Sequence, residues 1–216
     1  MSDKSRNNAE SRARKIAILD ATARLLREEG LQAFSFDAVA TKAGLSRQLV
    51  RYYYPKLDEL IVDLCDYLAM AYQEMLTTRI VEVGEVERLN FFLDFFFGVS
   101  GEHPMPNNLE VYDAFFAYAV GSSALRDRLC DNYKVLGQVI GQELAISHPE
   151  LDPAACSELS FIFVSMMHAH WGMVASLGFS SQHNRMVRNA FDRLIASYVK
   201  DGPTDGVTIK PWARGS

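Results

Sequence analysis

The stretch SFDAVATKAGLSRQLVRYYYP, residues 35–55, constrains this chain more than any other. It reads as two short helices joined by a tight turn, the dimensions of a helix-turn-helix. Ser35 stands where a helix N-cap belongs, with Asp37 in the first turn behind it. Gly44 ends the first helix and takes a positive φ at no Cβ cost. Ser46 opens the second helix and Pro55 closes it. Ala40 is small where the two helices must cross closely, and Leu45 plugs the corner. Val39, Val50 and Tyr54 face the core behind it, and Tyr52 is read as core with Tyr54. Arg47, Gln48 and Arg51 then fall at the N-terminal end and outer face of the second helix, the part of such a unit that enters a DNA major groove. Arginine matches the guanine edge and glutamine the adenine edge, each through two hydrogen bonds worth ~1–3 kcal/mol of discrimination.

The rest of the chain repeats helical periodicity between breakers. After a polar arm, residues 13–29 carry Ile16, Leu19, Ala23 and Leu26 on one face. A long amphipathic helix is expected from Lys56 toward Val83, burying Leu57, Leu60, Ile61, Leu64, Leu68 and Tyr72. Further helices are expected over 86–100, 108–119, 122–147, 153–178 and 182–200, and no alternating run suggests a sheet. The fold class is therefore all-α: a three-helix DNA-binding head over residues 1–55, a larger helical body over 56–200, and a Gly- and Pro-rich tail over 201–216 expected to be loosely ordered.

Charge is divided along the same line. The net charge of −5 separates into +5 over residues 1–56 and −10 over residues 57–216. A basic front on an acidic body suits a local anionic partner, with nucleic acid the obvious one. Cysteines 65, 130 and 156 are odd in number and far apart, which disfavours disulfides and structural zinc and fits a reducing cytoplasm. The polar N-terminus lacks the apolar run of a secretory signal. Residues 159–179 carry no Asp, Glu, Lys or Arg, but two histidines, three serines and two glycines favour a buried helix over a membrane span. The absence of a Walker loop, a strand-linked GxGxxG, a GxSxG elbow or HExxH argues against an enzyme. The rival reading is a helical binding protein or enzyme with a helix-turn-helix-like head.

The order of elements over EEGLQAFSFDAVATKAGLSRQLVRYYYPKLDELIVDL resembles the DNA-binding head of the TetR family. Its apolar-Ala pair is met by Val39–Ala40, its Ala-Gly-apolar-Ser by residues 43–46, its aromatic pair by Tyr53–Tyr54, and the Leu of its fourth helix by Leu60. Two segments of the body resemble ligand domains in the branch that includes choline-responsive repressors. The resemblance implies a ligand-responsive transcriptional regulator, by family default a repressor released from a palindromic operator. It implies base reading by Arg47, Gln48 and Arg51, and phosphate contact by Ser35, Lys42, Tyr53 and Lys56, with Arg6, Arg12, Arg14 and Lys15 as an arm. It also implies a homodimer through the last two long helices, with no cofactor. The recognition helix departs from the family pattern where Gln48 replaces a small residue, Arg51 a tyrosine, and Leu57 a lysine.

In the body, two dense aromatic groups and three further residues are candidates for an effector cavity: Phe92, Phe95 and Phe96; Tyr112, Phe115 and Phe116; and Tyr133, His168 and Trp171. Such a cavity suits an apolar or aromatic molecule, or a cationic amine held by cation–π attraction. Plain core is the competing reading of the same stripes. His168 and His170 lie about 200° apart around one helix, so one metal ion cannot bridge them, and no metal site is expected. The Gly137-x-x-x-Gly141 pair is read as allowing close helix packing.

Overall fold

Helical periodicity and breakers translate directly into the architecture. The computed structural model describes residues 3–80, 83–84, 87–101, 108–204 and 210–214, excluding the side chains of 3–7, 71, 75, 76 and 78–80. Among them every regular element is helical: α1 (Asp3–Glu29), α2 (Phe36–Ala43), α3 (Arg47–Tyr53), α4 (Leu57–Ile80), α5 (Arg88–Phe96), α6 (Glu110–Ala119), α7 (Ser123–Ser147), α8 (Pro153–Trp171) and α9 (His183–Asp201). A 3-10 turn at Leu31–Ala33 follows α1, and a π-helical turn at Gly172–Ser176 extends α8. None of the described helices is long and apolar enough to cross a membrane.

The chain divides into two packing units. One joins Met1–Ala71 to Asn108–Leu129, and the other joins Tyr72–Asn107 to Cys130–Ser216. The first unit thus takes in more than the head drawn at residue 55, because α1 and the 3-10 turn also pack against α6. Its core is Ile18, Leu19, Leu25 and Leu26 of α1 with Val39, Ala40, Val50 and Tyr54, joined by Leu60, Ile61 and Leu64 of α4. The Tyr67 hydroxyl donates to Asp20 at 2.8 Å, tying α4 to α1, and Phe34 meets Tyr118 of α6 edge-on. The helix α1 starts at Asp3, ten residues before the expected start, so the supposed arm is helical backbone. Nothing in residues 3–12 breaks a helix, and a Glu10–Arg14 pair one turn apart supports it. Arg12 and Arg14 lie on this exposed helix, whereas the Arg6 side chain is outside the described residues.

The second unit is built on aromatic packing. Phe97, Phe163 and Phe191 are fully buried and meet in pairs at centroid distances of 5.4, 5.5 and 6.1 Å. A polar seam joins α9 to α5 and α8. Buried Arg188 donates to Asp94 at 2.7 Å, to Asn90 at 3.0 Å and also to Asp192. Asn184 donates to the Gly98 carbonyl while its own carbonyl meets His170 Nε2, both at 2.9 Å. Because the Asn184 oxygen can only accept, His170 carries its proton on Nε2 there. The uncharged segment 159–179 resolves into an inner face of Leu159, Phe163, Met167 and Trp171 and an outer set of exposed Met173, Leu177 and Phe179.

The two glycines of α7 do different things. A Cβ on Gly141 would make ordinary contact with Cys156 and Ser160 of α8, the close helix packing expected from the sequence. A Cβ on Gly137 would overlap the Trp212 ring. The tail, expected to be loose, is therefore anchored at its described ends. Trp212 donates to Ser160 Oγ at 2.9 Å and stands edge-on to Phe161, and the Thr204 amide donates to Glu158 at 3.0 Å. The sequence alone gave no partner for that tryptophan, because the partner is an absence of side chain 75 residues away.

Two outcomes are expected. Gly137→Ala forces Trp212 off α7 or strains the packing, destabilising by ~1–3 kcal/mol. The tail then becomes cleavable by protease, as in Trp212→Ala, which limited proteolysis and urea unfolding will register. His170 is held below the ordinary imidazole pKa, chiefly by burial, against a smaller opposing effect of the Asn184 hydrogen bond and with help from nearby His183. Its neutral form is favoured by folding. The stability it supports is complete above the unfolded value of ~6.5 and is lost as pH falls through the lower folded value. Thermal unfolding across pH 5–8 is expected to show this acid-side loss, and His170→Gln to flatten it.

Candidate nucleic-acid interface

The interface is set by two caps and one turn. Ser35 Oγ accepts the Ala38 amide at 3.2 Å to start α2, and Ser46 Oγ accepts the Leu49 amide at 3.1 Å to start α3. Between them Gly44 adopts φ 66°, ψ 31°, and the Leu45 amide closes on the Ala40 carbonyl at 3.0 Å. Val39, Ala40 and Val50 are buried by this turn, and Leu45 is half-buried at the corner. With Val50 and Tyr54 inward, one turn apart, the opposite side of α3 is presented to solvent. It carries Gln48 and Tyr52, flanked by Arg51, and Arg47 stands at the first position of the helix; all four are exposed.

The structure brings the residues expected to read bases together on that face. Arg47 Nη1 lies 3.1 Å from the Asp37 carboxylate, and the Arg51 guanidinium sits over the Phe36 ring, 5.5 Å from its centroid. The phosphate candidates are more varied. Ser35 uses its oxygen as a cap acceptor and keeps its hydroxyl proton to donate. Tyr53 is half-buried against Tyr52, and Lys56 is exposed just before α4. Lys42 is instead paired with both Glu28 (2.7 Å) and Glu29 (2.8 Å) at the end of α1. The pairing raises the Lys42 pKa and lowers that of Glu28, mainly through their shared hydrogen bond. Lys15 lies over the Tyr54 ring and 3.7 Å from Asp63. Buried Tyr54 has its phenol pKa pushed up by burial and by Asp63.

One expectation is corrected. Tyr54 is core at 2% exposure, but Tyr52 is 77% exposed. The signal was in the spacing: Tyr52 is one turn on from Gln48, whereas Tyr54 is one turn on from Val50. The roles of Phe36 and Asp37 beside the two arginines were also missed. They join residues across the turn, which helical periodicity within one segment does not reveal.

The aromatic candidates for an effector site separate by unit. Tyr112, Phe115 and Phe116 belong to the first, where Tyr112 and Phe115 are buried and Phe116 is exposed. Phe92, Phe95, Phe96, Tyr133, His168 and Trp171 belong to the second. There Trp171 stacks between Phe96 and Tyr72 and donates its indole N–H to the Phe96 carbonyl at 2.8 Å. The Tyr133 hydroxyl meets His168 Nδ1 at 3.2 Å. Two surface hollows of this unit, about 430 and 390 Å³, are lined by other residues, including Asn90, Glu150 and Asp192 in one and Gln182 and Arg185 in the other. Among the described residues no cluster of three His, Cys, Asp or Glu is placed to hold a metal.

A family model described as bacterial regulatory proteins, tetR family, matches residues 18–64, the segment from the middle of α1 to the start of α4. This segment is similar to the N-terminal part of that family. No curated protein matches the chain significantly. Solved structures extend the likeness from the TetR head to most of the chain. A TetR transcription regulator from Haloarcula marismortui superposes with a TM-score of 0.71 at 20% identity, over 86% of this chain and 97% of that one. A protein described as a transcriptional regulator from Saccharomonospora viridis, in complex with choline, gives 0.71 at 16% identity over 86% and 96%. Another so described, from Pseudomonas aeruginosa, gives 0.68 at 23% identity over 88% and 94%. At these identities the likeness establishes the TetR fold beyond the head.

The caps give the interface a measurable dependence. Ser46→Ala removes the acceptor for the first turn of α3 and is expected to cost about 1 kcal/mol by urea unfolding. DNA binding is expected to weaken with it, since α3 is only seven residues long.

Proposed function

We propose that this chain is a TetR-family regulator, a ligand-responsive repressor that leaves a palindromic operator when a small molecule occupies its second unit. The observation that carries the reading is the exposure of Arg47, Gln48 and Arg51 on α3 while Val50 is buried. Arg47, Gln48 and Arg51 read base edges. Ser35, Tyr53 and Lys56 contact phosphates, and Lys42 joins them on exchanging Glu28 and Glu29 for a phosphate. A head of this size reads a few base pairs, so two heads about one helical turn, ~34 Å, apart read the operator. The homodimer forms through α8 and α9, and exposed Met173, Leu177 and Phe179 between them, with Met186 of α9, offer an apolar surface. The protein acts in the cytoplasm.

The effector is an apolar or aromatic molecule or a cationic amine. The choline held by one structural neighbour supports the last of these, as do the aromatic side chains around Trp171 and the Tyr133–His168 pair. Coupling runs through α4, one continuous helix that starts four residues after α3 ends and whose residues belong to both units. Head 1–55, body 56–200 and tail 201–216 are the functional divisions of this scheme.

The test is binding to the duplex upstream of the protein's own gene, titrated with salt. Affinity is expected to fall steeply, with a log–log slope of about −0.9 per phosphate neutralised. Arg47→Ala should relax base preference at one position in each half-site, whereas Lys56→Ala should weaken all sequences alike and lower the slope by about one. Choline is the first effector probe, read by thermal shift and by release of DNA. Salt-independent binding, or none, would overturn the reading.

A further inference from the structure

The two arginines on the outer face of α3 are each held by a residue of α2. Asp37 meets Arg47 at 3.1 Å, and Phe36 lies beneath Arg51 with 5.5 Å between guanidinium and ring centroid. Phe36 and Asp37 are consecutive, and Arg47 and Arg51 are one helical turn apart. The α2–α3 turn therefore sets one pair of neighbours against the other. Both members of the ion pair are more than half exposed, at 56% and 67%. An exposed pair of this kind adds little to stability. A carboxylate on a surface that meets phosphates also opposes backbone affinity. Its place in the first turn of α2 gives Asp37 a small helix-dipole effect, which does not account for its pairing with Arg47. Orientation does: a guanidinium reads guanine through two parallel hydrogen bonds, and its planar fork must arrive in one plane.

We propose that Asp37 and Phe36 are positioning residues for base readout, fixing the guanidinium groups of Arg47 and Arg51 in the attitudes in which they meet base edges. Asp37 has a second effect. It competes with any phosphate for Arg47, so that Arg47 gains most on a duplex that offers it a base. The inference rests on the reading of α3 as the DNA-contacting helix. It assigns specificity to two residues that touch no base.

The experiment uses the full-length protein and a pool of random-sequence 20-base-pair duplexes, with repeated selection and sequencing for wild type, Asp37→Ala, Asp37→Glu, Phe36→Leu and Arg47→Ala. Phe36→Leu keeps an apolar side chain in place and removes the aromatic face, and thermal unfolding verifies that every variant is folded. Asp37→Ala is expected to lose about tenfold in preference at the base positions that Arg47→Ala also flattens. It should bind unselected duplex as well as wild type or better, and Asp37→Glu should restore the preference. Phe36→Leu should flatten a different position, the one read by Arg51. An Asp37→Ala profile that keeps every base preference while affinity shifts uniformly would overturn the proposal and leave α3 as the reader. Failure of wild type to enrich any sequence would instead overturn the reading of α3 itself, and this proposal with it.

Discussion

The left-handed backbone at Gly44 is the constraint on which the DNA-binding half depends. An L side chain in that conformation costs roughly 1–2 kcal/mol. No atom stands within 4 Å of the place a Cβ would take, so the need for glycine is conformational, not steric. The reversal at Gly44 lets the Leu45 amide return to Ala40 and brings Val50 against Val39 and Ala40. Once Val50 is inside, the 100° step of the helix turns Gln48, Arg51 and Tyr52 outward, and Arg47 is exposed as the first residue of α3. Selection of the outward face is thus decided by a residue that is not on it.

The second unit is organised differently. Its core is crossed by a seam of directional groups on α9, Asn184 and Arg188, which join the end of α5 to α8 and α9. Apolar packing of phenylalanines tolerates sliding, because one aromatic edge contact resembles the next. Hydrogen bonds from Asn184 and Arg188 to defined acceptors do not, and they fix the register of α9 against α5. The same residues explain why a buried arginine is tolerated there: three oxygen acceptors surround its guanidinium.

Much of this was legible in the sequence. Gly44, Ser46, Pro55 and the spacing from Val39 to Val50 report local rules of caps, turns and periodicity, which act within a few residues. The exposure of Arg47 and Arg51 followed from the same rules. What was not legible involves groups distant in sequence or across a turn. The fate of Lys42 depends on Glu28 and Glu29 at the end of another helix. The division of the nine candidate aromatics between two units depends on α6 packing with α1. Tyr52 is chemically like Tyr54, yet its place in the helical turn puts it on the solvent side.

The seating of Trp212 has a use beyond packing. The chain has two tryptophans, and both lie in the second unit. Trp171 is almost wholly enclosed and bonded to a backbone carbonyl, whereas Trp212 is half-buried and bonded to a serine hydroxyl. Indole emission moves to longer wavelength as its surroundings become more polar, so the two should contribute separable blue and red components. The molecule thus carries one native optical reporter in the aromatic interior and another on its C-terminal segment, and no label is needed to follow the two regions separately.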